Sequence, residues 1–232
     1  MSSAELVNPD TRTITVWSDI GCPWGTLALE TLYEAADARG VELRIDHRVF
    51  PLELFNSIPT PKFILDAEVV AVAGIRPSLG WRAWSADAST YPVTTLPAME
   101  AVQAAKDPVI GGPTAAAQLD RALRRAFYVD SRCISIPSEI LAVAADCPTV
   151  DADALGEAIA RGAGRSAIYR DWEVAKGPRV QGSPHLFTAD GYAAHNPGAT
   201  YHWTGNPMQG AGFPRVDAYD PGWAQDWLDA VQ

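Results

Sequence analysis

The alternation of apolar and polar residues predicts a strand, a helix and a second strand near the N-terminus. Residues 13–17 are β-branched or aromatic, which is typical of a strand. Residues 26–36 repeat apolar side chains at helical spacing, and Gly40 suits a helix end. Residues 41–50 alternate apolar and polar side chains, as a strand with one buried face does. This part of the chain is therefore expected to form a βαβ unit.

The middle of the chain, from residue 51 to about 178, is rich in alanine and predicts helices punctuated by proline and glycine. The predicted helices are Phe63–Val72, Leu96–Ala105, Thr114–Tyr128, Pro137–Ala145, Asp151–Arg161 and Arg165–Lys176. Asp151 is a suitable N-cap for the fifth of them. This stretch is therefore expected to be helical throughout.

Strand-like character returns at residues 179–188, which contain Gly182-Ser183-Pro184. Residues 192–195 could pair with residues 186–188 as a hairpin. Residues 196–220 are rich in glycine, proline and aromatic residues and predict a loop. Residues 221–231 place apolar side chains at helical spacing, so a terminal helix is expected to pack on the sheet.

Cys22 is the main candidate for chemistry because it falls where the first strand meets the first helix, with Pro23 at the first helical position. Unpaired backbone N–H groups and the helix dipole favour an anion there, so the pKa of its thiol is expected to lie well below its ordinary value. A buried and inert cysteine is the alternative.

The motif is Cys-Pro-Trp-Gly, so Gly25 stands where a dithiol redox motif has its second cysteine. Without it, a small thiol could resolve a mixed disulfide on Cys22, or a distant cysteine could do so. Nothing in the spacing directs Cys133 or Cys147 at Cys22, and both are predicted to be structural.

Composition narrows the classes of partner. The 232 residues carry 28 acidic and 18 basic side chains, which give a net charge of -10 and argue against nucleic acid or an anionic membrane as partner. The three cysteines and four histidines lack the spacing of a disulfide framework or a metal site. No signal peptide or membrane span is evident, so a cytoplasmic location is expected. The sequence leaves open whether the protein forms a homodimer.

Two motifs and the order of the elements resemble the DsbA-like branch of the thioredoxin superfamily. That branch includes FrnE-type proteins, hydroxychromene-carboxylate isomerases and kappa-class glutathione transferases. Residues 19–25 are similar to its active-site motif and residues 180–184 to its cis-proline loop. The resemblance implies an α/β thioredoxin fold with a large all-helical insertion. It divides the chain into an N-terminal βαβ half (11–56), the insertion (57–178) and a C-terminal half (179–232).

The resemblance also implies roles for individual residues. Cys22 matches the nucleophile of the motif that continues through Pro23, Trp24 and Gly25. Pro184 matches the cis-proline, and Ser183 faces the sulfur. His185 could share that side of the strand, since alternate residues face the same way. These three residues are the predicted substrate-binding residues.

The implied activity is thiol-disulfide exchange through a mixed disulfide between Cys22 and a low-molecular-weight thiol, with no tightly bound cofactor. A thiol-dependent transferase or isomerase of the kappa-class type is an alternative, although those proteins usually place serine at the matched position. A non-catalytic peptide-binding protein is another. The aromatic residues that could line an apolar cleft, or serve as core, are Trp24, Phe55, Trp81, Trp84 and Tyr91. Asp19 could either raise the thiol pKa or cap the turn.

Overall fold

A four-stranded sheet with the strand order β2-β1-β3-β4 organises the fold in the computed structural model, which describes residues 6–231. Its strands are β1 (Thr13–Ser18), β2 (Arg44–Val49), β3 (His185–Phe187) and β4 (Ala193–His195). Helix α1 (Pro23–Arg39) joins β1 to β2, which are parallel, whereas β3 and β4 add antiparallel strands beyond β1. The predicted βαβ unit and the predicted hairpin are confirmed.

Helices occupy the chain between β2 and β3. They are α2 (Leu52–Asn56), α3 (Lys62–Ile75), α4 (Leu96–Ala105), α5 (Gly112–Tyr128), α6 (Pro137–Ala145), α7 (Ala152–Ala160) and α8 (Arg165–Ala175). The six predicted helices are confirmed with ends that move by at most three residues, and Asp151 caps α7 by accepting a hydrogen bond from Ala154 N–H. Helix α2 is an addition. None of the described helices is long and apolar enough to cross a membrane.

The loop predicted over residues 196–220 is wrong, because an antiparallel ribbon forms there. Its strands are β5 (Ala199–Trp203) and β6 (Pro214–Tyr219), with a register shift between Thr200 and Tyr201. Tyr201 is partly buried between exposed neighbours, which is the alternation of a strand with one packed face. The flanking glycine and proline residues obscured this pattern. The predicted helix at the C-terminus is present as α9 (Trp223–Ala230).

The strand predicted over residues 179–188 is shortened to β3. The chain ahead of β3 turns back on itself, since the ring of His185 accepts a hydrogen bond from Gln181 N–H at 2.9 Å. The peptide bond between Ser183 and Pro184 is cis. Residues 179–184 therefore form a turn ahead of β3. This turn places Ser183 next to the N-terminus of α1.

Apolar clusters cover both faces of the sheet, and Trp17 and Phe187 are buried on the face opposite Val16 and Leu186. On one face, α1 and α9 cover the strands through a cluster that includes Ile14, Val16, Leu32, Leu186 and Trp227. The N-terminal part of α1 instead packs into a larger cluster with α3, α4, α5 and the β5–β6 ribbon, and Cys22 and Trp24 belong to it. The α1 N-terminus thus lies between the sheet and the helical insertion.

Candidate active site

Cys22 is the N-cap of α1. Its backbone is extended, with φ -94° and ψ 111°, and its Sγ accepts a hydrogen bond from Gly25 N–H at 3.4 Å. Pro23 follows at the first helical position, where its missing N–H costs no helical hydrogen bond. The predicted placement of Cys22 at a strand-to-helix junction is therefore confirmed, although only 5% of the residue is exposed.

The cis peptide lies directly against this thiol. Cys22 Sγ donates a hydrogen bond to the carbonyl oxygen of Ser183 at 3.2 Å. Ser183 Oγ accepts a hydrogen bond from the backbone N–H of Asp19 at 3.0 Å. The two motifs that are far apart in the sequence, residues 19–25 and residues 180–184, thus meet at one place.

Asp19 holds the loop that carries Cys22. Its carboxylate accepts hydrogen bonds from Gly21 N–H at 2.7 Å, Leu52 N–H at 2.9 Å and Thr95 Oγ1 at 2.8 Å. It therefore caps the turn, which was one of its two expected roles. The other role also applies, since its negative charge helps to raise the pKa of Cys22.

Arg124 of α5 stabilises the same loop by donating hydrogen bonds to it and to the residues on either side. Its Nη1 donates to the carbonyl oxygen of Asp19 at 3.0 Å and to Thr26 Oγ1 at 2.8 Å, and its Nη2 donates to Ser18 Oγ at 2.9 Å. Only 2% of Arg124 is exposed. The guanidinium thus joins the end of β1, the loop and the start of α1.

Buried partners surround this arginine. Asp120, one helical turn earlier, accepts a hydrogen bond from Arg124 Nε at 2.7 Å. The ring of His47 lies 3.5 Å from the Asp120 carboxylate, and burial lowers the pKa of His47. Tyr128, further along α5, donates to the carbonyl oxygen of Ile20 at 3.0 Å. Sequence reasoning missed these residues, because an acidic and a basic residue four apart on a helix usually indicate a solvated face.

A cavity of about 180 Å³ opens beside Cys22. Its wall is mostly apolar and is formed by Gly21, Cys22, Trp24, Leu52, Asn56, Ile58, Thr60, Pro61, Ile64, Glu68, Ser183, Tyr201 and Met208. The rings of Trp24 and Tyr201 stack with centroids 3.9 Å apart, so the β5–β6 ribbon closes one side of the cavity. Tyr201 and Met208 lie in the segment that was wrongly predicted as a loop, which is why they were missed.

Glu68 is the acidic residue of this wall. Its carboxylate accepts a hydrogen bond from Trp24 Nε1 at 3.1 Å. Burial raises the pKa of Glu68 to about 7, and the hydrogen bond from Trp24 opposes this only in part. The group therefore changes its charge near neutral pH. Its signal in the sequence is a lone glutamate in an otherwise largely apolar helix.

The expectation of a low pKa for Cys22 is wrong for this structure. Burial is the main cause that raises the pKa of the thiol to about 12, and the negative charge of Glu68 adds to it. The Gly25 N–H and the Ser183 side chain favour the thiolate but do not compensate. The helix N-terminus is present as predicted, but desolvation outweighs it. Cys22 is thus a protonated thiol in this structure.

Replacing Glu68 with glutamine is expected to speed the reaction of Cys22 with iodoacetamide, an uncharged reagent. Glutamine keeps an oxygen for Trp24 Nε1 and removes the charge that opposes the thiolate. We expect a rate increase of roughly tenfold at about pH 8, which corresponds to about 1.4 kcal/mol of interaction with the thiolate. The difference should shrink toward about pH 6, where Glu68, with a pKa of about 7, is mostly uncharged in the unmodified protein.

Mass spectrometry of protein lacking Cys133 and Cys147 gives the rate at Cys22 alone. Glu157→Gln is a matched control, because Glu157 is exposed and pairs with Arg161 away from this cavity. Equal rates for Glu68→Gln and unmodified protein at every pH would mean that burial alone keeps the thiol protonated.

The structure does not bring every predicted site residue to the cavity. Trp24, Gly25 and Ser183 surround Cys22, and Pro184 follows Ser183 in the cis bond. The ring of His185 instead packs against Phe187 with centroids 4.3 Å apart and is not part of the cavity wall. Burial lowers the pKa of His185 to about 4, so the ring is neutral near pH 7.

The other aromatic candidates, apart from Trp24, serve in packing. Phe55 stacks on Phe50, and Trp81 stacks on Tyr128. Trp84 and Tyr91 contact each other and Phe127.

The three cysteines are all free thiols. Cys147 is buried and donates a hydrogen bond to the carbonyl oxygen of Val143 at 3.4 Å. Cys133 is partly exposed, and neither residue lines the cavity beside Cys22. Within residues 6–231, no group of three or more His, Cys, Asp or Glu side chains is arranged to hold a metal ion.

Solved structures with the same fold are distant in sequence. No family model matches the chain, and no curated protein matches its sequence. The cytosolic disulfide reductase DsbM from Pseudomonas aeruginosa aligns over 94% of this chain and 95% of its own, with 17% identity and a TM-score of 0.54. A probable DsbA oxidoreductase from Streptomyces coelicolor aligns over 94% and 88%, with 16% identity and a TM-score of 0.63.

A 2-hydroxychromene-2-carboxylate isomerase aligns over 78% of this chain and 87% of its own, with 14% identity and a TM-score of 0.55. At these identities the comparisons establish the fold. They confirm the resemblance to DsbA-like proteins and to the isomerase, and with it the thioredoxin fold that carries a large helical insertion.

Proposed function

We propose that the protein is a DsbA-like thiol-disulfide oxidoreductase that uses Cys22 as its single nucleophile. The observation that carries the proposal is the position of the Cys22 thiol, which caps α1, lines a cavity and lies 3.2 Å from the carbonyl oxygen before the cis bond. Because Gly25 stands where a dithiol motif has its second cysteine, Cys22 has no thiol beside it within the motif. The partner in exchange is therefore a low-molecular-weight thiol or its disulfide.

The proposed exchange has two steps, formation of a mixed disulfide on Cys22 and its release by a second thiol. The Cys22 thiol loses its proton to solvent, and the thiolate attacks one sulfur of a disulfide. A bond from Cys22 forms as the disulfide bond breaks, and the departing thiolate takes up a proton. A second small thiol then attacks the mixed disulfide and releases Cys22. Ser183 and Pro184 flank the incoming sulfur in this proposal.

Reaction requires the cavity to admit solvent or a polar substrate. Burial is the main cause of the raised pKa of Cys22, so hydration of the cavity removes the largest obstacle to the thiolate. The Gly25 N–H already points at the sulfur and remains to stabilise the negative charge.

Mass analysis tests the proposal. Protein carrying Cys133→Ser and Cys147→Ser, incubated with bis(2-hydroxyethyl) disulfide, is expected to gain one mercaptoethanol group on Cys22. A small thiol should then release it at a rate proportional to the thiol concentration. The same background with Cys22→Ser serves as the control and should gain nothing. Failure to form the adduct in folded protein, with Cys22 reactive after unfolding, would favour a non-catalytic peptide-binding protein.

A thiol-dependent transferase or isomerase is the second candidate. The Cys22 thiol donates a hydrogen bond, as a serine hydroxyl in its place could do, and one protein of similar fold is an isomerase. In this role Cys22 would stabilise the thiolate of a bound cofactor thiol. Cys22→Ser separates the two functions, because serine abolishes exchange and preserves hydrogen bonding to a bound thiol.

We further propose a cytoplasmic location. Three free thiols suit a reducing compartment, and DsbM, which has a similar fold, is described as cytosolic.

A further inference from the structure

The charged side chain in the wall of the cavity beside Cys22 is acidic. Within the described residues, its wall contains the carboxylate of Glu68 but no lysine, arginine or histidine. The polar partner of Glu68 is Trp24 Nε1, and no cation of the described chain pairs with it. A carboxylate that is left without a counter-ion in an apolar wall favours a positive group and opposes a negative one.

Two cations on helices beside the site, Lys62 and Arg124, are engaged with other partners. Lys62 pairs with Asp66 and lies over the ring of Tyr91, with 5.3 Å from Nζ to the ring centroid. Arg124 is buried below the loop, where Asp120 neutralises its charge. Asp19, which holds that loop, adds further negative charge near the thiol. Among residues 6–231, the cavity wall therefore offers an anionic substrate no unpaired cation.

The cavity is also small. Its volume is about 180 Å³, and both Cys22 and Glu68 line it. A substituent next to a sulfur atom at Cys22 therefore lies in the same cavity as the carboxylate of Glu68.

We propose that the site selects small disulfides and thiols whose substituents are neutral or cationic and disfavours those that carry acidic groups. Glu68 is the residue that determines this specificity. The inference rests on the proposed exchange at Cys22 and names its class of substrate. The exchange step is unchanged, since one disulfide bond breaks as the bond to Cys22 forms and one small thiol is released.

Three symmetrical disulfides with the same two-carbon spacing test the inference. The disulfide of thiocholine carries permanent positive charges, bis(2-hydroxyethyl) disulfide is neutral, and the disulfide of 2-mercaptoethanesulfonate carries permanent negative charges. Mass spectrometry measures the rate of adduct formation on protein with Cys22 as its only cysteine. Each rate is divided by the rate of the same disulfide with a free cysteine peptide, which removes differences in intrinsic reactivity.

The cationic disulfide is expected to react about tenfold or more faster than the anionic one at about pH 8 after this correction. The ratio should fall toward about pH 6, because protonation removes the charge of Glu68. Glu68→Gln should remove most of the ratio at the higher pH and its dependence on pH. Glu157→Gln, which changes an exposed glutamate, should leave both unchanged.

The outcomes separate the inference from the function on which it rests. Adducts with all three disulfides at equal corrected rates, or faster reaction of the anionic one, would overturn the charge selection and leave exchange at Cys22 standing. A strong preference that persists in Glu68→Gln and does not change with pH would remove Glu68 as its source. Absence of every adduct would overturn the exchange reaction itself.

Discussion

Gly25→Cys is expected to form a disulfide with Cys22 and to turn the protein into a dithiol oxidoreductase. A Cβ atom built at Gly25 would lie 3.5 Å from the Cβ of Cys22. Disulfides join Cβ atoms that are about 3.5–4.5 Å apart, so the backbone is already at a bridging distance. The new Cβ would also lie 3.3 Å from Ser18 Cβ and 3.3 Å from Ser183 Oγ, and these side chains must yield by a few tenths of an ångström.

The variant should lose two hydrogens on oxidation, and its rate of insulin disulfide reduction should exceed that of the unmodified protein by roughly tenfold or more, since the new thiol resolves the mixed disulfide intramolecularly. Intact-mass analysis and an insulin reduction assay measure both effects. Gly25→Ser provides a matched control with a similar side chain that cannot form the bridge. Free thiols at both position 22 and position 25 of Gly25→Cys, after full oxidation of an added small thiol, would contradict the prediction.

Arg124→Met is expected to reduce the free energy of unfolding by about 3–5 kcal/mol, the usual effect of removing one partner of a buried ion pair. The substitution strands the Asp120 carboxylate, of which 3% is exposed, and removes the donors to Asp19, Thr26 and Ser18. Urea denaturation measures the loss.

The loss should depend on pH in a defined direction. The unpaired Asp120 of the variant has a raised pKa in the folded state, so its destabilising charge is present at high pH and is neutralised as the pH falls. His47, close to the same carboxylate, can also take up a proton. The deficit should therefore be smaller at about pH 5 than at about pH 8. Adding Asp120→Leu to Arg124→Met should restore much of the stability, and a double variant as unstable as the single one would contradict the ion-pair explanation.

The sequence predicted the regular elements that have an uninterrupted periodicity. Strand β1 and helix α5 repeat their apolar residues without a break, so their existence follows from pattern alone. The β5–β6 ribbon was not predicted, because proline and glycine flank each short strand and interrupt the alternation. Its packing against Trp24 through Tyr201 is a tertiary contact that no local pattern reports.

The sequence predicted which residues meet at the centre of the site, but it did not predict the pKa of Cys22. Cys22 and Ser183 lie in recognisable motifs, and they meet as expected. The pKa of Cys22 depends on how much water reaches the sulfur and on Glu68 from a distant helix. A helix N-terminus is visible in a sequence, but the depth of burial that outweighs it is a property of the assembled fold.

The burial of Cys22 also bears on how the protein would survive oxidative stress. Peroxides attack thiolates, and a sulfenic acid is commonly rescued by condensation with a nearby thiol. With Gly25 beside it, Cys22 has no such rescuer in its own motif, so a permanently exposed thiolate would progress toward irreversible sulfinic and sulfonic acids. A thiol that stays protonated and buried is protected from that damage, so the burial that would slow the proposed exchange would also preserve Cys22.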